Sequence, residues 1–118
     1  MMTAEGNGEA MITPLELERS GTATHPIVVA RGEIDVATSP RLRTELSALL
    51  GRGATMITLD FAGVSFIDSS GLGVLVGALK RLREGEDESA SICIVGAQDA
   101  VRRVFEITGL EASLLDGR

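Results

Sequence analysis

The order of its apolar periodicities constrains this chain most. From residue 26 to residue 105, runs that are wholly apolar or alternate every second residue take turns with runs that repeat every three to four. Pro26-Ile27-Val28-Val29-Ala30, Met56-Ile57-Thr58-Leu59-Asp60-Phe61 and Ile92-Cys93-Ile94-Val95 read as strands. Leu42, Leu46, Leu49 and Leu50 predict a first helix, Leu72, Leu75, Val76, Leu79 and Leu82 a second, and Val101, Val104 and Phe105 a third. Parallel strands need crossovers of this kind, whereas a hairpin can only reverse the chain. The pattern therefore predicts an open α/β sheet with right-handed connections. Ahead of it, Ile12 to Arg19 alternates through Leu15 and Leu17 and predicts a half-buried edge strand, with Gly21 and His25-Pro26 marking the turn. Residues 1–10 lack periodicity and read as a flexible tail, which leaves 11–118 as one domain without internal repeats.

Punctuation residues set the expected boundaries. Ser39 followed by Pro40 predicts a helix start, with the hydroxyl capping free amides and proline where no amide is needed, and Gly51 and Gly53 end that helix. A short loop is expected after Phe61, then a helix from Ser69 or Ser70 whose last turns carry Lys80, Arg81 and Arg83, where the helix dipole favours cations. Glu84 to Glu88 reads as a solvated loop. The third helix should stop at Gly109 in a left-handed conformation, with Leu110 folding back toward Phe105 in a Schellman motif. A short final strand is expected near Ala112 to Leu115.

Composition narrows the function. With 118 residues, 44% of them apolar, the chain can bury roughly two thirds of its unfolded surface around a single core. A net charge of -6 repels a phosphate backbone, and the absence of Trp and Tyr removes most base-stacking platforms, so nucleic acid is not an expected direct partner. The one cysteine, Cys93, cannot form an internal disulfide, which suits a reducing cytoplasm. Leu72 to Leu79 is too short to span a bilayer, and the acidic, Gly-containing N-terminus does not read as a signal peptide, so no membrane partner is expected. Ten of the eleven basic residues are Arg, a bias that suits a GC-rich coding sequence better than a binding patch.

The chemistry concentrates in Phe66-Ile67-Asp68-Ser69-Ser70-Gly71-Leu72-Gly73, where a strand feeds a helix at the carboxyl end of the sheet. Asp68 or Ser69 could simply cap the helix. Gly71 and Gly73, however, each cost a helix roughly 1 kcal/mol relative to Ala, and the cap does not require them. That cost suggests close approach by another backbone or by a partner. For Gly73 and Gly77, which share a helix face, tight packing on the sheet and a partner surface are equal readings. Catalytic templates fail on spacing. Val76 stands where a GxGxxG would need its third glycine, and Asp68 and Leu72 stand where a GxSxG would need its glycines. The only histidine, His25, lies in a turn before Pro26, which leaves no Ser-His-Asp set, and one His with one Cys far apart offers no metal site. A response-regulator receiver is closer in length and layout, but an acidic pair after the first strand is missing, and so is a late-strand lysine, because Lys80 is helical. Catalytic residues, metal and cofactor are all expected to be absent.

Two stretches resemble the anti-sigma factor antagonists of the STAS family: Gly32-Glu33-Ile34-Asp35-Val36-Ala37-Thr38-Ser39-Pro40-Arg41-Leu42 and Val64-Ser65-Phe66-Ile67-Asp68-Ser69-Ser70-Gly71-Leu72-Gly73-Val74-Leu75. The likeness runs from about Leu15 to Leu110. The resemblance implies a STAS fold, an α/β architecture with a mixed four- to five-stranded sheet flanked by about three to four helices. It implies phosphorylation at Ser69 by a partner that is both anti-sigma factor and serine kinase, reversal by a serine phosphatase, and release of a sigma factor by the unphosphorylated form. It places Asp35, Thr38, Asp68, Ser70, Gly71, Leu72 and Gly73 on the partner surface, with Asp35 and Asp68 as spatial neighbours. The family's last helix has little counterpart before Arg118. A STAS scaffold in another signalling assembly is the alternative, but such a scaffold usually carries an extra N-terminal domain, for which the short tail leaves no room. A free antagonist is therefore expected, with a monomer favoured but the oligomeric state left open. Phosphate at a helix N-terminus gains from free amides and the dipole, so the modification should be tolerated internally while its charge repels the partner.

Overall fold

The structure is a computed structural model and describes residues 14–115. The expected tail at 1–10 and the first residues of the expected edge strand lie outside that range. The described elements run β1 (Glu16–Gly21), β2 (Pro26–Ile34), α1 (Ser39–Gly51), β3 (Met56–Ile67), α2 (Ser69–Arg83), β4 (Ser91–Val95), α3 (Asp99–Thr108) and α4 (Glu111–Leu114). The sheet has the order β1-β2-β3-β4, with β1 antiparallel to β2 and the other neighbours parallel.

Alternation decides which sheet face is covered. Val28 and Ala30 of β2 and Ile57, Leu59 and Phe61 of β3 are fully buried, while Ile27, Thr58 and Cys93, which neighbour one another across the ladder, keep part of their surface in solvent. α1 lies over the buried face. Arg19 stands opposite Val28 in the ladder and reaches Glu45 of α1 through a 2.8 Å Nε–Oε2 ion pair. Leu42, Leu46 and Leu49 of α1 are buried as their spacing predicts, and α1 packs beside α2.

Four expectations are corrected. The loop after Phe61 does not exist. β3 continues to Ile67 because Val64 and Ile67 are also buried, and irregularities at Val29/Arg31 and Gly32/Glu33 absorb the break in alternation. Ser39 does not cap α1. It is the first helical residue, it is buried, and its amide donates to the carbonyl of Asp35 at 2.7 Å. Val76 is not part of the buried stripe of α2, which is completed by Gly71, Val74 and Ala78 while Val76 faces outward. The final strand is instead the one-turn helix α4, after which Leu115 alone meets the sheet in a parallel bridge to Ile94.

The end of α3 forms as expected. Gly109 adopts φ 77°, Leu110 N–H donates to the Phe105 carbonyl at 2.9 Å, and Gly109 N–H donates to the Glu106 carbonyl at 3.2 Å, which together make the Schellman pair.

Candidate functional site

β2 and β3 end in register, and that register builds the site. Ile34 is the ladder partner of Ile67, and each is followed by an aspartate. The Asp68 amide donates to the Ile34 carbonyl at 3.1 Å, so the two strand ends are joined where the two carboxylates begin. Asp35 and Asp68 are thus neighbours at the carboxyl end of the parallel strands.

Each carboxylate organises the turn behind it. Asp35 Oδ1 accepts from the amides of Ala37 at 2.9 Å and Thr38 at 3.0 Å. The Thr38 hydroxyl accepts from the Asp35 amide at 2.9 Å and donates to the Glu33 carbonyl at 2.7 Å, which staples the turn into α1. Asp68 has extended backbone angles and caps α2: its Oδ1 accepts from Ser70 N–H at 2.8 Å and from Gly71 N–H at 3.4 Å. The open amides expected at this helix start are therefore already in use at Ser70 and Gly71.

The candidate residues separate by exposure. Ser69 is the first residue of α2, its side chain is exposed, and its hydroxyl makes no hydrogen bond among the described residues. Ser70 is half-buried. Gly71 is buried, and a Cβ there would stand 2.5 Å from Ile34 Cγ2 and 2.8 Å from Ile67 Cγ1, so any larger residue would force the side chains of the paired strand ends to shift. Leu72 is 7% exposed and belongs to the core. A Cβ added at Gly73 or Gly77 would meet nothing within 4 Å, so packing on the sheet does not account for either.

Two apolar side chains at this end carry no sequence signal that assigns them to it. Val36, directly after Asp35, is 76% exposed, and Phe66, directly before Ile67, is 45% exposed. A single Val inside a polar turn has no period. Phe66 is hidden because the irregular ladder near Ser65 breaks the alternation that would assign its face. Asp87, held below the ordinary carboxylate range mainly by its hydrogen bond from the Ser89 hydroxyl, lies at the opposite end of the parallel strands. Among the described residues, no group of three or more His, Cys, Asp or Glu could hold a metal ion, and no helix is long and apolar enough to cross a membrane.

Fold and site together define a small α/β domain whose mixed four-stranded sheet presents an exposed serine, one residue past a capping aspartate, at the carboxyl end of its parallel strands. The profile of the STAS domain matches residues 15–116, and the chain belongs to that family. It is 38% identical over 96 residues to an anti-sigma-B factor antagonist of Listeria monocytogenes, covering 81% of each chain. It is 41% identical over 80 residues to an anti-sigma-B factor antagonist of Staphylococcus aureus, covering 68% of this chain and 71% of the relative. Among solved structures, an anti-sigma factor antagonist from Mycobacterium paratuberculosis aligns over 88% of this chain and 86% of its own at 24% identity with a TM-score of 0.73. The Bacillus cell fate determinant SpoIIAA in its phosphorylated form aligns over 88% of this chain and 91% of its own at 25% identity with a TM-score of 0.62.

Proposed function

We propose that this protein is a cytoplasmic anti-sigma factor antagonist switched by phosphorylation at Ser69. Its unphosphorylated form binds an anti-sigma factor that is also a serine kinase and frees the sigma factor. Phosphorylation ends that binding, and a serine phosphatase restores it. The names carried by the Listeria and Staphylococcus relatives support the first part, and the solved phosphorylated form of SpoIIAA supports the second.

The observation that carries the reading is the state of the Ser69 hydroxyl: exposed, without a hydrogen bond among the described residues, and one residue past the cap. A kinase can reach it without opening the fold. Phosphate there adds about -1.5 to -2 charges beside Asp68. Because Asp68 already accepts from Ser70 and Gly71, the phosphate cannot take both amides without displacing the cap, and much of its charge stays directed outward. A partner that covers Val36 and Phe66 with apolar surface would have to desolvate that charge. A coupling of about 3 kcal/mol weakens such an interface roughly a hundredfold.

Titration of the purified anti-sigma factor with the protein before and after kinase treatment tests the proposal. Ser69→Ala is expected to remain unphosphorylated and to bind permanently, whereas Ser69→Asp should bind more weakly with little change in the thermal midpoint. A Ser69→Ala protein that is still phosphorylated, with the label lost only in Ser70→Ala, would move the switch to the neighbouring hydroxyl.

A further inference from the structure

α1 and α2 pack together but leave a cleft of about 210 Å³ between them, with Leu46, Leu50 and Val74 at its base and Arg43 and Arg81 on its rims. Gly77 lines the cleft, where a Cβ would meet nothing within 4 Å. Neither arginine has an ion-pair partner among the described residues, and the only side-chain hydrogen bond of Arg81 is a long one of 3.5 Å to Ser47. Two guanidinium groups over an apolar base on a chain of net charge -6 form a local field opposite to that of the whole molecule.

Gly77, on the cleft, shares a helix face with Ser69 two turns earlier. Ser69, Gly73 and Gly77 recur every four residues along α2, all three exposed, and span about 12 Å of helix. The absence of side chains at Gly73 and Gly77 lets another backbone approach this strip closely.

We infer that the anti-sigma factor of the proposed function lays an acidic amphipathic helix along α2, with its backbone over Gly73 and Gly77 and its carboxylates between Arg43 and Arg81. The inference rests on that proposed function and names a second part of the same interface. The mode is a helix in a groove, with apolar anchors on the cleft base and charge pairing at its rims. This contact lies beyond the phosphorylated residue, so it strengthens binding in both states and sets how much affinity the switch must overcome.

The test measures binding of the full-length anti-sigma factor to wild type, to an Arg43→Glu/Arg81→Glu double variant and to Gly77→Leu. Both variants should lose at least tenfold in affinity, and in the double variant the salt dependence should reverse, because added salt screens the new repulsion between like charges. Gly77→Leu replaces a poor helix former with a good one, so its thermal midpoint should not fall, which separates a blocked cleft from an unfolded protein. Unchanged affinity in both variants, with binding still abolished by Ser69 phosphorylation, would overturn the cleft as a docking site and leave the proposed function standing. No binding by wild type would overturn both.

Discussion

Gly71 and Gly73 stand two residues apart in the same helix turn and have opposite surroundings. An alanine methyl at Gly71 must push into Ile34 and Ile67, which hold the paired strand ends, whereas at Gly73 it meets open space. Gly71→Ala is therefore expected to destabilise the fold by about 1–3 kcal/mol through overpacking, despite its better helix propensity. Gly73→Ala should instead stabilise it by up to about 1 kcal/mol, and chemical denaturation of the two variants measures the contrast. Sequence alone marks both glycines as costly in a helix, yet it cannot separate them, because the strand ends that crowd Gly71 are distant in the chain. Thr38 is instead a local case, with partners only three and five residues away. Its hydroxyl is consumed by the Asp35 amide and the Glu33 carbonyl, so Thr38→Val should cost about 1–2 kcal/mol by leaving those groups unpaired.

At the scale of elements, periodicity is enough to place β2, α1, α2, β4 and α3, since each has a buried face that its own residues declare. It fails where the backbone departs from regular geometry. The second half of β3 is illegible because it shifts register after Phe61, and α4 resembles a strand because four residues carry too little period to distinguish the two. The C-terminus of α3 is legible because a left-handed residue leaves a chemical signature. Gly109→Ala is expected to cost about 1–2 kcal/mol by forcing an L side chain to φ 77°, and a lowered thermal midpoint with unchanged partner affinity checks this. The turn into α1 offers the converse case. Val36 is exposed and bears little of the fold, so Val36→Asp should shift stability by less than about 0.5 kcal/mol while weakening the proposed anti-sigma factor interface at least tenfold. Equal affinity in that variant would remove Val36 from the interface.

Across the whole molecule, the hydrogen bond from the Asp68 amide to the Ile34 carbonyl makes the presentation of Ser69 depend on contacts between residues far apart in the chain. Before β2, α1 and β3 have closed their crossover, Asp68 has no strand end to lean on and α2 has no seat for Gly71. The serine then sits in a chain without a cap. Under the proposed function, a kinase that recognises only the capped serine would read completed folding as well as identity, and would spare nascent or heat-damaged copies. Phosphorylation measured against temperature should fall along the same transition as the ellipticity of the domain. Continued labelling of the unfolded chain would show that the kinase reads local sequence alone. In a cell, such proofreading would keep defective copies out of the phosphorylated store, so that every molecule released by the phosphatase is already competent to bind.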